Sequence, residues 1–385
     1  MTKKNVGIII VCGVVLAVGG LLYRNQALSP KTAPATGVEE NQRILVIAPL
    51  TGPGAALGVS SRAGMQMALE DLPKDGRQLE LVYQDSRTDP NVAVTILAGH
   101  SLHSNSKVFI GEMSQVTRAL VAPAERARLL MFATLVGVPN IGGGSPSFVR
   151  VNVMSDAIAP PLARFAAKHE STMAILYLND DYGRVNSDLF SKTYTNFERT
   201  VVMTESFDRD PSVARLLVEK VRQSGASGCF IAGYGPVYPE LFKVFKQLAP
   251  AIHIYADIGL ANAPVFKAVG PAAEGVVLAA TEADEFPPTT PRARMLAERF
   301  SRAVPGVRTD YVVAYSYDTV QVLAEALKAV PDGDPVRVKE YLVSRSFEGY
   351  GGKFKIDPAS GDSIYEPLPL FRVTNGSIIR ITEDK

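Results

Sequence analysis

Cysteine is nearly absent from this chain, with 2 in 385 residues. Cys12 lies in an N-terminal apolar run and Cys229 in an expected buried strand, so the folded part carries one thiol and forms no internal disulfide. That excludes a small disulfide-stapled scaffold, which uses bridges where the core is thin. An excess of charge of one sign is also lacking. With 40 Lys+Arg against 39 Asp+Glu the net charge is +1, and no global field draws the chain to nucleic acid or to an anionic membrane surface. Histidine is scarce, at 4 residues. His100 and His103, near an expected helix end, read as a solvated last turn and not as a metal pair. No Gly-x-Ser-x-Gly elbow, P-loop or dinucleotide fingerprint occurs. Gly142-Gly143-Gly144-Ser145 lacks the lysine and the following helix that phosphate binding requires, and reads as a turn. Arg292, Arg294, Arg299 and Arg302 fall around a solvated helix. No catalytic residue, metal ligand or cofactor is expected.

What is present begins at the N-terminus. Lys3 and Lys4 precede an uncharged run from Val6 to Tyr23, closed by Arg24. Positive residues ahead of the run direct the chain beyond it outward. Its length suits a cleaved signal peptide or a retained anchor, so residues 1–25 carry either role, with membrane contact through 6–23 if uncleaved. Cys12 sits mid-run without the small residues that precede a lipidated cysteine. Residues 26–42, rich in Ala, Pro, Thr and Glu, read as a linker.

Beyond the linker, short apolar runs alternate with helix-period segments, the pattern of βαβ units on a parallel sheet. Ile44 to Ala48 is a strand, Thr51-Gly52-Pro53-Gly54 a turn, and Ser61 to Leu72 a helix with Met65, Ala68, Leu69 and Leu72 on one face. Strands are expected next at 79–84, 108–111 and 129–133, then at 173–177, 200–205, 229–232, 252–256 and 276–279. Two successive series of this kind predict an α/β protein of two doubly wound parallel-sheet lobes, with ligands beyond the carboxyl ends of the strands. After Phe286-Pro287-Pro288 the chain turns helical over 291–304 and 311–330. It then reverts to strand signals, with Asn375-Gly376 as a hairpin turn. The expected division is 43–154 with 286–348 for the first lobe and 155–285 with 349–385 for the second, joined by a multi-strand hinge.

In order along the chain stand Ala48-Pro49-Leu50-Thr51-Gly52-Pro53, Asp85 to Pro90, Ile110-Gly111 leading to Ser114-Gln115-Val116-Thr117, and Ala122-Pro123-Ala124-Glu125. Next come Asn179-Asp180-Asp181-Tyr182-Gly183, Ala232-Gly233-Tyr234, Ala273-Glu274-Gly275, Tyr315-Ser316-Tyr317-Asp318-Thr319-Val320 and Gly352 to Asp362. Taken together they resemble the branched-chain amino-acid (Leu/Ile/Val-binding, type I) periplasmic solute-binding proteins, the extracytoplasmic receptors of ABC importers. The likeness extends over nearly all of Arg43 to Lys385.

That resemblance implies a two-lobe receptor, periplasmic or held at the inner membrane, that closes on an amino acid or a related carboxylate or amide. It presents the solute to a membrane permease. A sensory or scaffolding module anchored through residues 6–23 uses the same fold and is the alternative. The resemblance implies ligand contacts from Ser114, Gln115 and Thr117 for a carboxylate at a helix N-terminus, and from Leu135 and Gly137 in the loop after the fourth strand. It adds Tyr182 and Tyr234 closing from the second lobe, Leu57 packing in the first loop, and Asp257, beside Ile258, meeting an ammonium group. Ser114 and Thr117 also suit helix capping, Asp257 also suits capping the next turn, and Tyr234 also suits covering the sheet edge. If Asp257 does not serve, the ligand lacks an amine, because a buried cation without a counter-charge is costly.

Overall fold

A computed structural model describes residues 43–74, 78–103 and 106–382. The expected signal or anchor segment and its linker lie outside the described residues. Among the described residues no helix is long and apolar enough to cross a membrane.

The first series is β1 (Arg43–Ala48), α1 (Ala55–Asp71), β2 (Glu80–Asp85), α2 (Pro90–His103), β3 (Val108–Glu112), α3 (Ser114–Arg126), β4 (Leu130–Thr134) and β5 (Phe148–Arg150). These strands form one parallel sheet in the order β2-β1-β3-β4-β5. Every residue of β3, β4 and β5 is buried. Continuous apolar runs belong to strands covered on both faces, which is why these stretches show no polar alternation.

The second series is α4 (Ala159–His169), β6 (Thr172–Leu178), α5 (Asp181–Thr195), β7 (Thr200–Phe207), α6 (Ala214–Gln223), β8 (Gly228–Ala232), α7 (Val237–Leu248), β9 (His253–Ala256), α8 (Ala263–Val269) and β10 (Val277–Ala279). The chain then returns to the first lobe through α9 (Pro291–Ala303), α10 (Tyr311–Ala329) and α11 (Pro335–Val343). Last come β11 (Ser346–Gly349), β12 (Gly352–Ile356), β13 (Ser363–Tyr365), β14 (Leu370–Thr374) and β15 (Ser377–Arg380). The second sheet runs β15-β14-β10-β9-β8-β6-β7. Its β6 to β10 are parallel, and β14 and β15 close one edge antiparallel. Thr374 pairs with Ser377 across Asn375 and Gly376, whose φ angles of 50° and 72° are those of the two-residue turn expected there.

Alternate residues of the first sheet divide between two cores. Leu45, Ile47, Phe109 and Met131 face α2 and α3. Ile44, Val46, Ile110 and Phe132 face Met65 and Ala68 of α1 and Val320, Leu323 and Ala326 of α10. α10 comes so close to α1 that a Cβ at Gly64 would stand 2.4 Å from the carbonyl oxygen of Val313.

The chain crosses between lobes three times: after β5, after β10 and between β13 and β14. The last crossing falls later than the sequence pattern suggests. Residues 349–365 are expected in the second lobe, yet β11, β12 and β13 form a small antiparallel sheet whose Phe347, Phe354 and Ile356 complete the core beneath the first sheet. Only 370–380 join the second sheet as strands. At the second crossing Phe286 still pairs with Ile378, both backbone bonds being 3.0 Å.

Candidate functional site

The carboxyl ends of both sheets face one another across a cavity of about 60 Å³. Leu57, Met113, Ser114, Gln115, Leu135 and Gly137 line it from the first lobe, and Asp180, Tyr182, Gly233, Tyr234, Ile258 and Gly259 from the second. Asn152, Val153 and Ile158 of the first crossing and Tyr311 and Tyr315 of α10 complete the wall.

On the first-lobe side the chain leaves β3 through Met113, whose φ of 73° turns it sharply into α3. This aims the helix N-terminus at the cavity, where unpaired N–H groups favour an anion. Ser114 is 6% exposed, and its hydroxyl has no partner among the described residues. The Gln115 side-chain amide donates to the Thr88 carbonyl at 2.6 Å, so it braces the neighbouring loop while lining the cavity. Thr117 lies one turn deeper, fully buried and outside the lining, with an unpartnered hydroxyl.

The loop after β4 carries Leu135 at a φ of 56°. Arg150, fully buried, donates to the carbonyls of Val136 at 2.6 Å and Val138 at 2.8 Å, and pairs with Asp362 at 2.9 Å. Burial lowers the Arg150 pKa to about 10 against the pull of Asp362 and Asp156. Asn152 exchanges hydrogen bonds with the same loop, donating to the Val136 oxygen at 3.1 Å and accepting from the Val136 N–H at 3.2 Å. The loop is therefore held from behind by protein groups.

On the second-lobe side Asp180 caps α5, accepting from the Gly183 N–H at 2.9 Å. The Tyr234 hydroxyl donates to its other oxygen at 2.6 Å, and Arg209 donates to the Tyr234 hydroxyl at 3.0 Å and to Asp180 at 3.5 Å. Burial raises the Asp180 pKa, and these hydrogen bonds and Arg209 oppose the rise. Tyr182 reaches across to Gly137. Asp257 does not line the cavity. It is fully buried behind the wall, accepting from the Tyr238 hydroxyl at 2.5 Å and from the N–H groups of Gly233 at 3.0 Å and Gly259 at 3.1 Å. Burial raises its pKa to about 7 despite those donors.

Polar links away from the cavity also hold the lobes together, among them the Arg308 guanidinium donating to the Ala261 carbonyl at 2.7 Å. Arg118 of α3 donates to Asp181 of α5 at 2.6 Å. Asp310, which caps α10, accepts from Ser60 of α1 at 3.1 Å and, on the second-lobe side, from the Asn262 side chain at 2.9 Å and the Ala263 N–H at 2.8 Å.

Seven of the nine residues expected from the sequence thus line one cavity, whereas Thr117 and Asp257 do not reach it. Asn152, Asp180, Tyr311 and Tyr315 line it without having been expected there. Tyr311 and Tyr315, one turn apart behind a capping Asp310, gave the one usable signal. Of the histidines weighed as a metal pair, His100 is half-buried with its pKa lowered by burial, and the side chain of His103 lies outside the described residues. Among the described residues no group of three or more His, Cys, Asp or Glu is placed to hold a metal ion.

The chain matches the model of the periplasmic binding protein family over residues 41–377. The leucine-, isoleucine-, valine-, threonine- and alanine-binding protein of Pseudomonas aeruginosa is 26% identical over 323 residues, 82% of this chain and 85% of that one. The solute binding protein of an ABC transporter from Rhodopseudomonas palustris, solved with 3,4-dihydroxybenzoic acid, superposes with a TM-score of 0.81 at 17% identity, over 89% of this chain and 97% of that one. A leucine binding protein of Thermotoga maritima gives a TM-score of 0.78 at 24% identity, over 88% and 97% of the two chains.

Proposed function

Since the chain belongs to the periplasmic binding protein family, we propose that it is an extracytoplasmic receptor that captures a small carboxylate-bearing solute and delivers it to the permease of an ABC importer. The observation that carries this reading is the cavity itself, walled by both lobes and by the crossing between them. Such a cavity exists only while the lobes are together, so a solute that fills it stabilises the closed form by its differential affinity for that form. The relatives are consistent with this: one is named for aliphatic amino acids and another was solved with an aromatic acid.

In this reading the ligand carboxylate meets Ser114 and the first N–H groups of α3. Leu57, Leu135 and Ile258 pack the apolar body, and Tyr182 and Tyr234 close over it. Capture and release involve no chemical step, and turnover of a bound solute would count against the reading. The test is a thermal-shift screen of amino acids, carboxylates, amides and aromatic acids, followed by small-angle scattering. A stabilising solute should also make the protein more compact. A folded protein that no small solute stabilises would refute it.

A further inference from the structure

The carboxylates at the cavity and just behind it, and the Val136, Gly137 and Val138 carbonyls of the loop after β4, already have donors. Asp180 is the only carboxylate among the lining residues. One of its oxygens accepts from the Gly183 N–H, and the other from the Tyr234 hydroxyl, with the Arg209 guanidinium beside it. Asp257, one layer behind, has donors from Tyr238, Gly233 and Gly259. In the loop after β4 the Val136 and Val138 carbonyls accept from Arg150, and the Gly137 carbonyl accepts from the Ser155 N–H at 2.8 Å. The Thr134 hydroxyl is buried and turned to the Val151 carbonyl.

A primary ammonium brings three donors and a full positive charge, and burying it without acceptors and a counter-charge is costly. The donor side of the cavity is in the opposite condition. The N-terminus of α3 faces it, and the Ser114 hydroxyl, nine-tenths buried and without a partner among the described residues, stands at that end. Between the two sides the wall is mostly aliphatic side chain and tyrosine ring, with Asn152 turned to the loop after β4.

We infer that the ligand is an amine-free carboxylic acid with a flat or compact apolar body, and that the cleft discriminates against α-amino acids. This rests on the receptor reading above and narrows it. A quaternary ammonium, which needs no hydrogen-bond acceptor and can be held by aromatic faces, is the one cation that escapes the argument.

The test uses the full chain and matched pairs that differ only in the amine: 3-phenylpropanoate against L-phenylalanine and 4-methylpentanoate against L-leucine, with benzoate and trimethylglycine added, all by titration calorimetry. An acid should bind at least about tenfold tighter than its amino counterpart. An amino acid that equals or exceeds its acid, or trimethylglycine that exceeds every acid, overturns the inference and leaves the receptor reading standing. Silence across these probes overturns the inference as well, and the receptor reading then depends on the wider thermal screen. Ser114→Ala should weaken the acid at least about fivefold and weaken 3-phenylpropanol, which lacks the charge, by less. Equal loss for both, or loss for neither, overturns the placement of the carboxylate at Ser114. The melting temperature of the variant serves as the folding control.

Discussion

The ring of Tyr182 rests on the bare backbone of Gly137: a Cβ at Gly137 would stand 2.6 Å from Cε2 and 2.8 Å from Cδ2 of that ring. The two residues belong to opposite lobes, so glycine is needed there chiefly when the lobes are together, the other neighbour, Ser155 Oγ, standing farther off at 3.2 Å. Gly137→Ala should leave the melting temperature of the unliganded protein nearly unchanged. Ligand affinity should fall about tenfold or more, the scale of one overpacked methyl group. Calorimetry with any ligand from the screen checks this, and full affinity in the alanine variant would mean the ring does not close on that spot.

Arg118 and Asp181 bridge the same two lobes in solvent, with side chains 51% and 38% exposed. A pair in that setting is worth about 0.2–1 kcal/mol. Arg118→Ala should therefore weaken binding by at most about fivefold, and the difference should vanish in high salt because exposed charges are screened. Titrations at low and high ionic strength decide it.

Arg150 and Asp362 are different, with side-chain exposures of 0% and 8%. Removing one partner leaves the other charge buried, which costs roughly 3–5 kcal/mol. Arg150→Met should lose about that much in urea unfolding and also bind more weakly, because the loop holding Leu135 and Gly137 loses two anchors. Adding Asp362→Asn should recover part of the stability and little of the affinity.

Glu112, fully buried at the end of β3, accepts from the Ser61 hydroxyl, which in turn accepts from Ser316 at 2.9 Å. Burial raises its pKa to about 8 from an ordinary 4.5, more than the Ser61 hydrogen bond lowers it. Between those values the folded chain holds a proton that the unfolded chain has released, so this group's contribution to stability falls as pH rises through the window. Glu112→Gln should flatten that slope. Urea unfolding from pH 5 to pH 8 measures it, and parallel slopes for variant and parent would show that Glu112 is ionised in the fold.

Much of the fold was legible because the strands are continuous apolar runs and the helices keep their period. Ile44 to Ala48, Leu129 to Ala133 and the Asn375-Gly376 turn announce themselves locally. β5 does not: it has three residues and ends in an arginine whose partner, Asp362, comes from the far end of the chain. α7 carries Val237, Tyr238, Leu241, Phe242 and Phe245 on its buried face, but Pro239 in its first turn obscures the pattern. The extent of the first lobe is hidden because Phe354 and Ile356 alternate like any edge strand, and no local feature tells which sheet they cover. At the site, most residues on strand-end turns are readable from sequence, those on the crossing are not, and those on α10 show only through two tyrosines one turn apart behind the Asp310 cap. Asp257 was a reasonable candidate for a free carboxylate, and only the fold brings Tyr238 and two backbone N–H groups to occupy it.

The late third crossing also governs the order in which the molecule can be completed as it is synthesised. One face of the first sheet is covered by Val320, Leu323, Phe347, Phe354 and Ile356, all encoded after the second lobe's parallel strands. A chain emerging N-terminus first must carry that face with only Met65 and Ala68 of α1 against it until α10 appears, and incompletely covered until about residue 356. It is through this interval, and not in the finished protein, that a chaperone would find this apolar surface to hold.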